Sequence, residues 1–107
     1  MGEKAFTKIL DLYGLDRLRM RMVTESGNVT YTVVQYETFV QDEWRAVVRY
    51  DNSHGYPHRD VLHPTGEEDK FPLRFADLNA FVLYAEQDLK DRWQWYKERF
   101  LKEMKAQ

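Results

Sequence analysis

The clearest pattern in the chain is an apolar stripe at helical spacing after residue 77. Residues three and four apart lie on one face of a helix, so the stripe is typical of an amphipathic helix. Asp77, just before it, is a residue type that caps helix N-termini. At 1.5 Å per residue, about 28 residues would span roughly 40 Å. The stripe consists of Leu78, Phe81, Val82, Ala85, Leu89, Trp93, Tyr96, Phe100 and Met104.

Alternating apolar and polar positions before this helix predict a sheet. The connections between the predicted strands are short, which favours an antiparallel meander because parallel strands need long crossovers. Residues 64–73, which include two prolines and a glycine, are expected to form an irregular connection. The four predicted strands are Leu18–Met22, Val29–Val40, Trp44–Tyr50 and Arg59–His63.

The N-terminal residues 3–13 predict a short helix. Phe6, Ile9 and Tyr13 recur at helical spacing, and Gly14 follows as a stop. The expected fold is one α+β domain over residues 1–107. A four-stranded antiparallel meander would pack against this short helix and the long amphipathic C-terminal helix.

Composition narrows the classes of function. The chain is 43% hydrophobic and 15% aromatic, enough to build a core, and it has no cysteine, which excludes thiol catalysis and cysteine-ligated metals. The net charge is -2 and both signs are spread along the chain, so global charge leaves nucleic-acid binding unsupported. We see no secretory signal and no apolar run long enough to cross a membrane, and we expect a cytoplasmic protein.

The segment from Arg49 to His63 holds all three histidines of the chain. Pairing Arg49 with Arg59 would oppose like charges, which destabilises a hairpin. Shifting the register by one residue pairs Asp51 with His58 and Arg49 with Asp60, and both pairs are then complementary. This register also leaves an apolar opposite face, with Val48, Val61, Trp44, Ala46 and Tyr50.

The preferred register would bring a histidine, two aspartates and an arginine together, with His54 in the loop above. A histidine beside a carboxylate is an oriented acid or base, and arginine suits a phosphate. We therefore expect a candidate catalytic set and an anion-binding set, and no cofactor. Metal binding by His54, His58 and Asp60 is the weakest alternative, because arginines compete for the acids, and we expect no metal. The catalytic set is Asp51, His54, His58 and Asp60; the binding set is Arg19, Arg45 and Arg49.

Other interpretations remain open, first for the hairpin cluster and then for the arginines of the first strand. Opposed charges are ordinary stabilisation on a wet hairpin face. Arg17, Arg19 and Arg21 would lie on the wet face of the first strand, where they could hold an RNA backbone or merely discourage edge-to-edge aggregation.

The stretch Arg49–Asn52, followed by His54-Gly55 and His58–Asp60, resembles a signature of small prokaryotic proteins of uncharacterised function. It is also loosely similar to TumE-like toxins of bacterial toxin–antitoxin pairs, which carry Tyr-Asp-Asn followed by a glycine and a histidine pair. The second resemblance implies an RNA-directed activity and an antitoxin-like protein partner.

Three functions follow as expectations. The first is a toxin-like hydrolase acting on RNA through the last hairpin. The alternative is a non-catalytic interaction module, homodimeric through Trp95, Phe100 and their neighbours on the aromatic C-terminal helix, whose last turns could project beyond the sheet. A third candidate is an anion-binding domain built on Arg49.

Overall fold

The computed structural model describes residues 1–106 and contains a six-stranded antiparallel sheet and one helix. Each strand pairs with the next along the chain, so the sheet is a continuous meander. The strands are β1 Gly2–Ile9, β2 Asp16–Glu25, β3 Asn28–Val40, β4 Glu43–Asp51, β5 His58–Leu62 and β6 Glu68–Pro72, and the helix is α1 Leu78–Lys105.

Helix α1 lies across one side of the sheet, mainly over β3 and β4. The apolar stripe predicted from the sequence forms the helix side of the core, and Asp77 caps it by accepting a 2.8 Å hydrogen bond from the Ala80 amide. The antiparallel sheet and the amphipathic C-terminal helix are thus confirmed. We call the sheet side under α1 the covered face; it contributes Leu18, Met20, Val34, Tyr36, Val48 and Tyr50 to the core.

Two buried carboxylates fasten α1 to the sheet. Tyr36 donates to Asp16 Oδ1 at 2.6 Å, while Lys97 of the helix donates to Asp16 Oδ2 at 2.9 Å. Asp88 Oδ2 accepts hydrogen bonds of 2.7 Å from both Tyr50 and Tyr96. Burial, followed by the hydrogen bond to Asp88, raises the pKa of Tyr96 to about 12, so its phenol remains a donor at neutral pH.

The predicted N-terminal helix is wrong. Residues 2–9 form β1, which pairs with β2 along its whole length, and all but one of its residues are exposed. The apolar residues at helical spacing do not bury a face here. Residues 2–9 form a strand instead of a helix because the edge of β2 has backbone N–H and C=O groups that need hydrogen-bond partners. The turn after β1 is also stabilised, since the Asp11 carboxylate accepts hydrogen bonds from the amides of Tyr13, Leu15 and Asp16.

The expected irregular connection over residues 64–73 is wrong in part, because it contains β6. This strand pairs with β5 from His58↔Pro72 to Leu62↔Glu68. A short edge strand tolerates both charge and proline, since only one of its sides needs hydrogen bonds. The sheet therefore has six strands where about four were expected.

A bulge between β3 and β4 changes which side of the sheet the first side chains of β4 face. The register shifts between Tyr36 and Glu37, so that Val48 and Ala46 pair with neighbouring residues of β3. Beyond the bulge, Trp44 points away from α1 and stacks under the Arg17 guanidinium at 3.6 Å. The prediction that Trp44 and Ala46 share the apolar face of Tyr50 is therefore wrong.

Candidate active site

The shifted register of the last hairpin is confirmed. Arg49 pairs with Asp60, Asp51 with His58 and Val48 with Val61. Because side chains alternate along a strand, Arg49, Asp51, His58 and Asp60 lie on the side away from α1. We call this side of the sheet the open face.

The centre of the cluster is closed to solvent. His58 is 0% exposed, Asp60 2% and Asp51 5%. His58 Nε2 lies 2.7 Å from Asp51 Oδ1, and Nδ1 lies 3.1 Å from Asp60 Oδ1. The cluster is therefore not the wet hairpin surface of the simplest interpretation.

Two cations balance the charge of Asp60. Lys70 Nζ donates to Oδ1 at 3.0 Å, and Arg49 lies 4.0 Å from Oδ2. The hydrogen bond to Asp60 is the main reason that the pKa of Lys70 is raised. Glu68 lies within 4 Å of both cations, and Arg49 Nε also donates to Gln35 at 2.7 Å.

Sequence reasoning missed Lys70, Glu68 and Gln35. The first two lie on β6, which was expected to be irregular, so no register could place them. A signal was present in the run of three acids and one lysine over residues 67–70, because charged residues are common on edge strands. Gln35 lies within a strand that was predicted, but no partner suggested a role for it.

His54 is the exposed histidine above the cluster. It lies in the 52–57 loop, and its ring centre is 5.5 Å from that of His58. The loop is anchored because Asn52 accepts from the Thr32 amide at 3.0 Å, and it turns at Gly55, where φ is +86°. Its neighbour Tyr56 covers His58 at a ring distance of 5.4 Å. The four predicted catalytic residues are therefore brought together.

The predicted binding residues separate. Arg49 joins the cluster and Arg19 lies two strands away on the open face, paired with Gln35. Arg45 lies with α1, because the bulge turns it: its guanidinium donates to the Pro64 carbonyl at 2.7 Å and sits over Phe100. The structure does not bring Arg45 to the candidate site.

A groove of about 360 Å³ opens on the same face beside the cluster. Arg19 is more than half exposed and lies 3.9 Å from Glu37, whereas Arg21 is held at 2.7 Å by Glu3. Glu37 and Glu3 thus neutralise part of the positive charge of the arginines on this face. The groove is lined by Ala5, Phe6, Thr7, Arg19, Met20, Arg21, Tyr31, Val33 and Gln35.

His63 and the helix aromatics lie elsewhere. His63 contacts Glu103 at 2.9 Å and Asp69 at 2.8 Å, which joins the last turns of α1 to the sheet, so these turns do not project beyond it. Trp95 is 61% exposed, but Phe100 is fully buried in the chain's own core. Phe100 therefore cannot contribute to a surface for self-association.

Residues 1–106 match the family model described as Domain of unknown function (DUF7718). The chain belongs to this family. This agrees with the resemblance to an uncharacterised family, while the similarity to TumE-like toxins stays a prediction. No curated protein and no solved structure matches the chain. Within residues 1–106, α1 lacks the long apolar run that a membrane-crossing helix requires.

Proposed function

We propose that the chain is a toxin-like hydrolase directed at RNA, with its reaction at the exposed mouth of the His/Asp cluster. One observation carries the proposal: His54 is exposed directly above the buried set of Asp51, His58 and Asp60, with Arg49 alongside. Buried carboxylates around a histidine are a costly arrangement that ordinary surface pairing does not need.

The chemistry assigns different tasks to the two histidines. His54 is the group that reaches solvent, so it would transfer the proton to or from the reacting oxygen of a phosphodiester. His58 is enclosed and would act as a positioning residue beneath it. Arg49, which is partly exposed, would stabilise the charge that develops on the phosphate in the transition state.

The groove supports RNA as the substrate class. Arg19 is more than half exposed, so its guanidinium can contact a phosphate, and the nearby Tyr31 ring could stack on a base. Gln35 lines this groove and hydrogen-bonds Arg49, so the groove adjoins the cluster directly. In this proposal the protein works in a prokaryotic cytoplasm, where an antitoxin-like partner restrains it.

The test is cleavage of single-stranded RNA by the purified chain, together with growth inhibition on expression. His54→Gln should reduce both at least tenfold while the urea unfolding curve stays unchanged. His63→Gln is the matched control, since it makes the same substitution on the covered side of the sheet. Equal activity in His54→Gln and the wild type would refute the mechanism.

Arg19 provides an independent test of the RNA path. Arg19→Gln should weaken RNA binding and lower its salt dependence, because one phosphate contact is lost. Arg92→Gln is the control, because Arg92 is similarly exposed on the helix. An equal effect of the two substitutions would exclude the groove as the binding site.

A non-catalytic interaction module is the second candidate, favoured by the exposure of Trp95. Its indole packs edge-on against Tyr96 and is otherwise open to a partner. A monomeric mass that persists at high concentration would exclude the homodimer. If Trp95→Ala also kept every partner of the wild type, the module would lose its support.

A further inference from the structure

Strand β1 forms one edge of the sheet, and its outer side has no partner among residues 1–106. Leu10 donates to the Asp16 carbonyl at 2.9 Å, in continuation of the register between β1 and β2. Hydrogen-bonded positions recur every two residues in an antiparallel pair, so the even-numbered residues of β1 bond to β2. Glu3, Ala5 and Thr7 therefore direct their backbone N–H and C=O groups outward.

The two edges of the sheet are protected to different degrees. β6, at the far edge, is short and ends at Pro72, and both features discourage pairing with another strand. β1 has eight residues, no proline and no register shift against β2. Its Lys8, a residue type that protects edges, is held by Glu86 of α1. β1 is therefore the edge that is open to a further strand.

The charges of β1 suit a second copy of the same strand in one register. A two-fold axis perpendicular to the sheet would pair two such strands antiparallel and keep each face of the sheet continuous. With the axis at Phe6, Lys4 would lie opposite Lys8 of the other copy, and like charges in that position are unfavourable. With the axis at Ala5, Lys4 lies opposite the Phe6 ring instead.

The register about Ala5 also brings opposite charges together. It joins outward-facing groups only, because Ala5 meets Ala5 and Glu3 meets Thr7 of the second copy. Thr7 pairs with Arg19 of β2, so Glu3 and the second copy's Arg19 lie two strand spacings apart on the open face, roughly 10 Å. Both side chains are more than half exposed, and together a glutamate and an arginine span that gap. By symmetry this ion pair forms twice.

The helices do not obstruct this arrangement. α1 lies mainly over β3 and β4. Five strand spacings, about 24 Å, would separate the β3 strands of the two copies. A helix with its side chains is about 10–12 Å across, so the two helices lie clear of each other on the same face.

We propose that the chain forms a two-fold homodimer through β1, paired antiparallel about Ala5, in which two six-stranded sheets become one continuous sheet. The interface is a strand edge and not a broad surface, so it belongs to the weak, concentration-dependent class of specific contacts. It also brings together the two open-face grooves that Ala5 and Arg19 line. The proposal is independent of RNA cleavage and of the exposed Trp95 on α1.

The test is the dissociation constant of the full chain, measured by analytical ultracentrifugation. Thr7 faces Glu3 of the other copy twice in this dimer, so Thr7→Lys should tighten it and Thr7→Glu should weaken it, each by roughly tenfold. In the register about Phe6, Thr7 would face Ala5, and neither charge would be favoured. Urea unfolding should show that both variants keep the fold, since Thr7 is exposed.

The matched controls are Thr65→Lys and Thr65→Glu, at an exposed threonine in the turn between β5 and β6. These variants and Trp95→Ala should leave the dissociation constant unchanged. The proposal is overturned if the wild type stays monomeric up to about 1 mM, where even weak complexes form. It is also overturned if Thr7→Lys and Thr7→Glu change the dissociation constant in the same direction. Loss of the dimer in Trp95→Ala would overturn it as well, because α1 would then be the interface.

Discussion

Removing one hydroxyl group from Tyr36 should reveal how strongly a buried carboxylate fastens the helix. The Tyr36 ring is fully buried and packs edge-on against Trp93, and its hydroxyl donates to Asp16 at 2.6 Å. Burial, and then the hydrogen bond to Asp16, raises the pKa of Tyr36, so the phenol stays protonated and donates throughout the neutral range. Tyr36→Phe keeps the ring and its packing but leaves Asp16 Oδ1 without this donor.

The magnitude follows from the burial of Asp16, which is 1% exposed. A hydrogen bond to a charged group contributes about 1.5–3 kcal/mol to stability. Lys97 remains on Oδ2, so we expect a loss near the middle of that range, about 2 kcal/mol. For a domain of this size each kcal/mol lowers the melting temperature by about 4–8 °C, which gives a decrease of about 8–16 °C.

The assay is urea unfolding of the wild type, Tyr36→Phe and the control Tyr13→Phe. Tyr13 is 83% exposed, so its substitution removes the same atom at no structural cost. Lys97→Met, alone and combined with Tyr36→Phe, should give non-additive losses because both residues contact the same carboxylate. A midpoint for Tyr36→Phe that matches Tyr13→Phe would refute the reasoning.

Three further substitutions test separate features. Hydrogen bonds to Asp69 first, and then to Glu103, raise the pKa of His63. The stabilisation of the folded state by protonated His63 is therefore complete below the unfolded pKa of about 6.5, and it is lost as the pH rises through the higher folded pKa. His63→Gln should therefore destabilise more at about pH 5.5 than at about pH 8.5 in urea unfolding, and an equal loss at both would contradict this. Asp77→Ala should lower the free energy of unfolding, measured by circular dichroism melts, by about 1 kcal/mol, since the Ala80 amide loses its hydrogen bond to the helix cap. An unchanged melting curve would show that the cap does not contribute to stability. Leu89→Ala should lower the free energy of unfolding by about 2–5 kcal/mol, whereas Leu83→Ala, with its side chain exposed, should change it by no more than about 0.5 kcal/mol. Similar losses for the two substitutions would show that Leu89 is not part of the core.

Local patterns predicted the parts of the fold that depend on neighbours in sequence. The stripe of α1 and its cap at Asp77 follow from a 3.6-residue period and one hydrogen bond within a turn. The register of the last hairpin followed from the charges of Arg49, Asp51, His58 and Asp60, because its two strands are joined by a short loop. The same charges predicted that Asp51, His58 and Asp60 would lie together, as they do.

Long-range pairing decided what the sequence pattern missed. β1 and β6 are short or exposed strands with weak local signals, and each forms because the neighbouring strand needs a partner. The bulge beside Tyr36 is a mismatch in length between two strands, and it sent Arg45 to the helix side. Such features cannot be seen within either strand alone.

The sequence by itself determined the helix, the meander and the meeting of His58 with its two aspartates. Only the tertiary structure decided that these three residues are buried and that Lys70 of β6 neutralises Asp60. The physical reason is that periodicity and charge act between residues close along the chain. Burial and the direction of a hydrogen bond depend instead on every segment that packs around a group.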